Sequence, residues 1–319
     1  MPDTVLYLAG LGRSGSTLLE RMIGELDGVC PAGELVHLWH RGIELDEPCG
    51  CGKLFSACEF WSAVGAKAFG GWGNVPVERV ESLRRQLDRT RRIPTMLRRN
   101  LPADFGADLR EYTGYYAALY DALRAVSGCP VVIDSSKHPS MAFALGARRD
   151  LDLRVVQMVR DPRAVAYSWT KATKRPEAEI HDQSILVFPT YSPARAARLW
   201  LGHNASLTLL SRLDVPLLTI RHEDVLADPQ ATVRRIATWA GLPEDTPIPV
   251  SADRVAQLSA AHTVSGNPMR FQTGAVPIVA DETWRTATSA RDRATVTAIT
   301  LPLLHHFGYP LRPSAGSPS

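Results

Sequence analysis

Apolar residues recur along the chain in two spacings. Continuous apolar runs typical of buried strands occupy Val5–Ala9, Pro130–Asp134, Leu153–Val159 and Val215–Ile220. Each run precedes helix-forming sequence, and after the first run apolar residues fall at helical intervals from Leu18 to Leu26 before a stop at Gly28. This alternation predicts an α/β fold with a mostly parallel central sheet flanked by helices.

A long helical pattern separates the first two predicted strands. It covers about residues 35–128, includes a helix over Asp108–Val126, and predicts an insertion that shapes an acceptor pocket. Irregular sequence at Arg175–Ser192 and Ala261–Thr286 predicts long functional loops. A last helix is expected over Ser289–Phe307. We expect residues 1–309 to form a single domain and residues 310–319 a flexible tail.

Charge and the length of the apolar runs give no support for a nucleic-acid-binding protein or a membrane protein. Lys and Arg number 36 against 33 for Asp and Glu, and this net charge of +3 gives no indication of a nucleic-acid partner. No apolar run reaches the roughly 18 to 20 residues of a membrane span, and no secretion signal is present at the amino terminus. We therefore expect a cytoplasmic protein without stable membrane insertion.

A glycine-rich segment, Gly10–Thr17 (GLGRSGST), follows the first predicted strand and begins the first helix. Such a turn directs backbone N–H groups at an anion, with the helix amino terminus behind it. A Walker A loop would have Lys after its second glycine, where this chain has Ser16. Apart from Asp134, no strand-end Asp is available for a Walker B role, so Mg²⁺-dependent nucleotide hydrolysis is weakly supported. We favour anion binding over a plain glycine turn.

Two distant segments resemble one family. Gly12–Thr17 (GRSGST) resembles the 5′-phosphosulfate loop of sulfotransferases that use 3′-phosphoadenylyl sulfate (PAPS), particularly the branch containing tyrosylprotein and many bacterial sulfotransferases. Val156–Ser168 resembles the family's 3′-phosphate motif, with Arg160 at a strand end and Ser168 about two helical turns further on. The resemblance implies a P-loop NTPase-like fold and donor binding by Gly12, Arg13, Ser14, Gly15, Ser16, Thr17, Arg160 and Ser168.

Weaker similarities extend over nearly the whole chain. Val132–Pro139 (VIDSSKHP) resembles a strand end that carries a lysine in the family, and Ile220–Pro229 resembles its strand-to-helix turn. Gly266–Arg270 and Trp284-Arg285 fall where bacterial members have a loop that closes over the nucleotide. By this resemblance Arg270 is a further expected nucleotide contact.

Catalytic residues follow from the chemistry that the resemblance implies. Arg13 and Lys137 are the candidates for stabilising charge on the leaving group. Glu34 follows Gly33 where tyrosylprotein sulfotransferases have a catalytic glutamate, and we expect burial and nearby phosphate to raise the pKa of this general base. His138 is the alternative base, because cytosolic sulfotransferases use a histidine near a comparable strand end. His37 is expected on the same helix as Glu34.

The cysteines do not indicate a metal site. Cys49-Gly50-Cys51-Gly52 has the C-x-C spacing of some metal sites, but no second close pair completes a ligand set, even with Cys30 and Cys58. Bacterial sulfotransferase relatives resemble this stretch, which favours a structural turn with packed thiols. We therefore expect no metal. An odd total of five cysteines also disfavours a disulfide framework.

The sequence thus predicts a PAPS-dependent sulfotransferase that transfers a sulfuryl group to a hydroxyl or amine and releases PAP. A small-molecule or nucleotide kinase with a degenerate P-loop and a non-catalytic nucleotide-binding protein are the alternatives. The acceptor is expected to be a small molecule, a glycan or a lipid. A homodimer is compatible with the sequence, which contains no general code for the acceptor or for oligomeric state.

Overall fold

A parallel sheet organises the chain. The computed structural model describes residues 3–172 and 189–311. Within these ranges five parallel strands have the spatial order β2-β3-β1-β4-β5, and they are β1 (Thr4–Gly10), β2 (Val29–Pro31), β3 (Val131–Lys137), β4 (Asp152–Val159) and β5 (Leu217–Arg221). The predicted mostly parallel sheet is confirmed. All seven residues of β1 are buried, which explains why this strand has an uninterrupted apolar sequence.

Two hydrophobic cores lie on opposite faces of the sheet. Val5 and Tyr7 of β1 contribute to one core, whereas Leu6 and Leu8 contribute to the other. This division follows from the two-residue period of a strand. Helices cover both faces, so the carboxyl ends of the strands are the part of the sheet that remains available for a ligand.

The helices of the described residues account for most of the remaining chain. They are α1 (Ser16–Ile23), α2 (Glu59–Phe69), α3 (Val77–Leu87), α4 (Ile93–Met96), α5 (Ala103–Ser127), α6 (Pro139–Gly146), α7 (Pro162–Thr170), α8 (Pro193–Leu207), α9 (His222–Ala227), α10 (Pro229–Ala240), α11 (Trp284–Ala287) and α12 (Ala290–Leu304). None of these helices has the length and apolar character that crossing a membrane requires, as far as the described residues go.

The predicted helical insertion lies between β1 and β3. It begins after the short edge strand β2 with a 3-10 turn (Leu35–His37) and a π-helical segment (Leu38–Glu44), and it continues with α2 to α5. The longest helix, α5, buries aromatic side chains against this segment, and Trp39 Nε1 donates to the hydroxyl of Tyr116 at 2.9 Å. The insertion thereby fixes the chain that follows Gly33.

Some elements differ from the sequence prediction. Strand β2 was not predicted, because three residues are too few to show a period. Strand β7 (Gly274–Pro277) lies inside the region that we expected to be irregular, and it pairs antiparallel with β6 (Val255–Leu258), which lies just before that region. Helix α1 ends at Ile23, ahead of the predicted stop. Most of the predicted loop at 175–192 and most of the predicted tail at 310–319 lie outside the described residues.

Candidate functional site

The glycine-rich loop joins β1 to α1 in a conformation that needs its glycines. Gly15, the N-cap of α1, has φ +88°, and a Cβ there would lie 2.4 Å from His222 Nδ1. A Cβ on Gly10 would lie 2.5 Å from the carbonyl oxygen of Met158. Only glycine combines this backbone with such close neighbours. The backbone of the loop therefore lies close to Met158 near the end of β4 and to His222 at the start of α9.

A cleft of about 630 Å³ opens at the carboxyl ends of β1, β3 and β4. This is the edge of an open parallel sheet where ligands usually bind. The cleft gathers most of the site residues expected from the sequence, namely Gly12, Arg13, Gly15, Ser16, Thr17, Glu34, Lys137, His138, Arg160 and Ser168. Residues that are more than 100 positions apart in the chain thus share one cavity.

Ser14 and Arg270, two of the expected nucleotide contacts, do not line this cleft. Ser14 is 1% exposed. Arg270 is equally buried, and its guanidinium donates to the carbonyl oxygens of Thr263 at 2.9 Å and Pro48 at 2.8 Å. The Arg270 guanidinium thus holds two backbone segments together in this structure, and its contact with a nucleotide stays a prediction. Asn267 and Met269 line the cleft from the same segment.

Two arginines link the two predicted phosphate motifs. Arg160 Nη1 donates to the carbonyl oxygen of Arg13 at 3.3 Å. The Arg13 guanidinium lies 5.5 Å from the ring centre of Trp169, whose Nε1 donates to the carbonyl oxygen of Gly12 at 3.0 Å. Burial lowers the pKa of both guanidiniums, although the Glu34 carboxylate opposes this effect at Arg13. Both cations are therefore partly desolvated, which strengthens their attraction for an anion.

Glu34 and Lys137 form an ion pair inside the cleft. Lys137 Nζ donates to Oε1 of Glu34. Burial alone would raise the pKa of Glu34, but the Lys137 ammonium lowers it below its ordinary value. The sequence-based expectation of a raised pKa is wrong for this state of the protein, because it did not include a cation at contact distance. Lys137 has φ +69°, a left-handed conformation in which the Cβ of any residue other than glycine crowds the backbone.

Two histidines adjoin this ion pair. His37 Nε2 lies 3.5 Å from Oε2 of Glu34, and burial lowers the pKa of His37 well below its ordinary value. His138 Nδ1 lies 2.5 Å from Oδ2 of the buried Asp88. Burial alone would lower the pKa of His138, but the Asp88 carboxylate raises it above its ordinary value. His37 is therefore neutral near pH 7, whereas His138 tends toward the cation.

Hydrogen bonds to Glu20 and Val264 hold the backbone of Gly33 and Glu34 in place. Neither of these two partners was identified from the sequence. Glu20 of α1 accepts a hydrogen bond from the Gly33 N–H at 2.8 Å and another from the Ser135 hydroxyl at 2.6 Å. The carbonyl oxygen of Val264 accepts from the Glu34 N–H at 2.8 Å. Glu20 is a polar residue in the buried face of α1, and that is the one sequence signal that identifies it.

A second group of side chains lies outside the cleft. The thiols of Cys49, Cys51 and Cys58 converge with the ring of His262, and their ligand atoms all lie within 4.8 Å of one another. The sequence-based expectation of no metal did not include His262, because it is 204 positions from Cys58. These four residues are candidate metal ligands.

Comparisons with known proteins agree with the fold and the motifs. The sequence model of the Sulfotransferase family matches residues 6–246. The solved sulfotransferase domain from the curacin biosynthetic pathway has a TM-score of 0.52 and 16% identity, over 98% of this chain and 99% of that one. The sulfotransferase domain from the Synechococcus PCC 7002 olefin synthase has a TM-score of 0.49 and 20% identity, over 98% and 96% of the two chains. A search of curated proteins finds no match.

The structural similarity to the curacin-pathway domain confirms the P-loop-like α/β fold. The family match covers well over half of the chain and includes the glycine-rich loop, Lys137 and the Arg160 motif. The chain therefore belongs to the sulfotransferase family and is a sulfuryl-transferring enzyme.

Proposed function

We propose that the sulfuryl donor is PAPS and that the enzyme transfers the group to a hydroxyl or amine of an acceptor, releasing PAP. One observation carries this proposal. Arg160, expected at the 3′-phosphate, donates to the carbonyl oxygen of Arg13 in the 5′-phosphosulfate loop, and both residues line a single cleft. A nucleotide with phosphates at both its 5′ and 3′ positions would engage both motifs at once.

Donor binding would use the two ends of this arrangement. The 5′-phosphosulfate is expected at the N–H groups of Gly12–Thr17, where the amino terminus of α1 also favours an anion. The 3′-phosphate is expected at Arg160 and Ser168, which offer a guanidinium and a hydroxyl. A donor without the 3′-phosphate would lose the second set of contacts.

The transfer step forms a bond between the acceptor oxygen and sulfur and breaks the bond between sulfur and the bridging oxygen of the donor. The electron pair of the broken bond stays on PAP, and the acceptor proton moves to Glu34. Lys137 and Arg13 would stabilise the charge that develops on PAP. When Lys137 moves toward this new anion, its ion pair with Glu34 weakens. The pKa of Glu34 then rises, because the Lys137 ammonium no longer lowers it, and the carboxylate becomes a better base. His138 with Asp88 remains the alternative base.

The acceptor is proposed to enter between the helical insertion and the donor site. His37 and Arg41 of the insertion and Met269 line the cleft beside Glu34. This mixture of polar and apolar side chains is compatible with a small molecule, a glycan or a lipid that presents a hydroxyl. A cytoplasmic location, the absence of a nucleic-acid partner and a homodimer stay predictions from the sequence.

Ligand-dependent thermal unfolding tests the donor. We expect PAP to raise the melting temperature and ATP with Mg²⁺ to leave it unchanged, because a ligand stabilises the state that binds it. Stabilisation by ATP with Mg²⁺ but not by PAP would overturn the proposal and favour the kinase alternative. Turnover is tested separately by incubating the enzyme and labelled PAPS with metabolite extracts and following release of PAP.

A further inference from the structure

We infer that Cys49, Cys51, Cys58 and His262 form a structural zinc site. Zinc prefers four ligands in a tetrahedron, and a set of three cysteines and one histidine closes all four positions without leaving room for substrate. Cys49 and Cys58 are buried, and Cys51 and His262 are half-buried. The site lies outside the cleft, and none of its four ligands takes part in the proposed sulfuryl transfer.

Distances among the ligand atoms fit this geometry. With Zn–S near about 2.3 Å and Zn–N near about 2.0 Å, a tetrahedron places two sulfurs about 3.8 Å apart and a sulfur and a nitrogen about 3.5 Å apart. The Sγ atoms of Cys51 and Cys58 lie 3.8 Å apart. Nδ1 of His262 lies 3.3 Å from the sulfur of Cys58 and 3.7 Å from that of Cys49. Three of the six ligand-atom distances are thus already close to the edges of a zinc tetrahedron, and all four atoms lie within 4.8 Å of one another.

Backbone and aromatic contacts hold the ligands in these positions. The N–H of Gly52 donates to the carbonyl oxygen of Cys49 at 2.8 Å and closes a tight turn around the first two cysteines. Phe60 stacks on the His262 ring with centroids 4.7 Å apart and planes at 10°. This stacking restrains the plane of the His262 ring. Such outer contacts are what orient the ligands of a metal site.

The site joins two distant segments beside the cleft. His262 precedes Thr263, whose carbonyl oxygen accepts from the Gly50 N–H at 2.9 Å, and Val264, whose carbonyl oxygen accepts from the Glu34 N–H. A metal that binds His262 to the turn at Cys49–Cys58 would therefore hold the segment that contacts Glu34. Its role is to stabilise this junction, since none of the four ligands lines the cleft.

Metal analysis of the full chain, purified without a polyhistidine tag, tests the site. We expect about one zinc per chain in the wild type and loss of most of it in Cys51→Ser, Cys58→Ser and His262→Ala. Cys129→Ser and His305→Ala are matched controls, because Cys129 lies before β3 and His305 is exposed after α12. Both controls should keep the metal and the wild-type melting temperature.

Cobalt substitution of the wild type decides the question even where the ligand variants fail to fold. Co²⁺ bound by three thiolates and an imidazole should give the intense visible bands of a tetrahedral site and sulfur-to-cobalt charge transfer. A reduced wild-type protein that takes up neither zinc nor cobalt would overturn the inference. A disulfide between Cys51 and Cys58, detected by mass spectrometry under non-reducing conditions, would overturn it as well.

Discussion

The ammonium of Lys137 donates to the carboxylate of Glu34, although the two residues are 103 positions apart in the chain. Lys137 ends β3, and Glu34 follows the neighbouring strand β2. Parallel pairing of these strands brings their carboxyl ends together, so a candidate base and a candidate leaving-group stabiliser meet at one edge of the sheet.

Replacing Glu34 tests its role as the base. We expect Glu34→Gln to lower kcat by about 10²- to 10⁴-fold, because the glutamine amide cannot take up the proton that the substrate hydroxyl releases. Binding of PAP, measured by calorimetry, should stay close to wild type, since the glutamine side chain has nearly the same size. Glu44→Gln is the matched control, because Glu44 lies in the adjoining π-helical segment and pairs with His40 near the surface. Wild-type turnover by Glu34→Gln would exclude Glu34 as the base.

The pH dependence of kcat/KM separates the two candidate bases. The pKa of Glu34 is lowered from its usual 4.5, so a Glu34-dependent reaction should show no loss of activity between pH 8 and about 6. Asp88 raises the pKa of His138 above 6.5, so a His138-dependent reaction should lose activity as the pH falls through that range. An acidic limb that disappears in His138→Gln would assign the role to His138.

Arg160 should determine preference for the 3′-phosphate. A lost charge-assisted hydrogen bond costs about 1.5 to 3 kcal/mol, so Arg160→Ala is expected to weaken PAP binding by about 10- to 150-fold. Binding of adenosine 5′-monophosphate, which lacks the 3′-phosphate, should change much less. Arg212→Ala is the control, because Arg212 is exposed and does not line the cleft. Equal weakening of both nucleotides would place Arg160 elsewhere than at the 3′-phosphate.

Gly15 tests whether the loop conformation is needed for donor binding. In Gly15→Ala the new methyl group would collide with the His222 ring and also strain a backbone with φ +88°, at a backbone cost of about 1–2 kcal/mol. We expect PAP binding to fall at least tenfold, measured by calorimetry. The double variant Gly15→Ala/His222→Ala removes the collision and should restore part of the lost PAP binding.

Gly202→Ala is the matched control for this change. Gly202 lies inside α8, and a Cβ there would meet nothing within 4 Å. Alanine is a better helix former than glycine, so this variant should bind PAP normally and be slightly more stable. Normal PAP binding by Gly15→Ala would show that the loop tolerates a side chain at its last glycine.

Glu20 should make stability depend on pH. Burial raises the pKa of its carboxyl from 4.5 to about 7. Between these values the folded protein binds a proton that the unfolded chain releases, so the free energy of unfolding falls as the pH rises. Glu20→Gln lacks this proton. Its stability relative to wild type should therefore increase from pH 5 to pH 8 by up to about 3 kcal/mol.

Urea unfolding at a series of pH values measures this difference. Glu244→Gln is the control, because Glu244 is exposed and should show no such trend. A constant difference between Glu20→Gln and wild type across the pH range would mean that Glu20 is ionised in the folded protein. That result would leave the hydrogen bonds to Gly33 and Ser135 as its sole role.

Local sequence was sufficient to identify the two motifs of the proposed donor site. The apolar run of β1, the glycines that follow it and the helical spacing of α1 specify a strand, a loop and a helix with short-range interactions alone. The same holds for β4, Arg160 and α7. Because parallel strands end at one edge of the sheet, these two motifs at the ends of β1 and β4 line one cleft.

Long-range contacts decided the rest. The lowered pKa of Glu34 depends on Lys137, the burial of Arg270 depends on the carbonyls of Thr263 and Pro48, and the fourth candidate metal ligand, His262, comes from a segment that shows no period. Sequence spacing shows which side chains share one face of a local element. On a helix these residues are three or four positions apart, and on a strand they are two positions apart. It does not report which carbonyl, cation or ring a side chain meets after more than 100 intervening residues. Local patterning therefore specifies the fold class and the two candidate phosphate-binding motifs, whereas tertiary packing sets the pKa of the candidate base and completes the cysteine cluster.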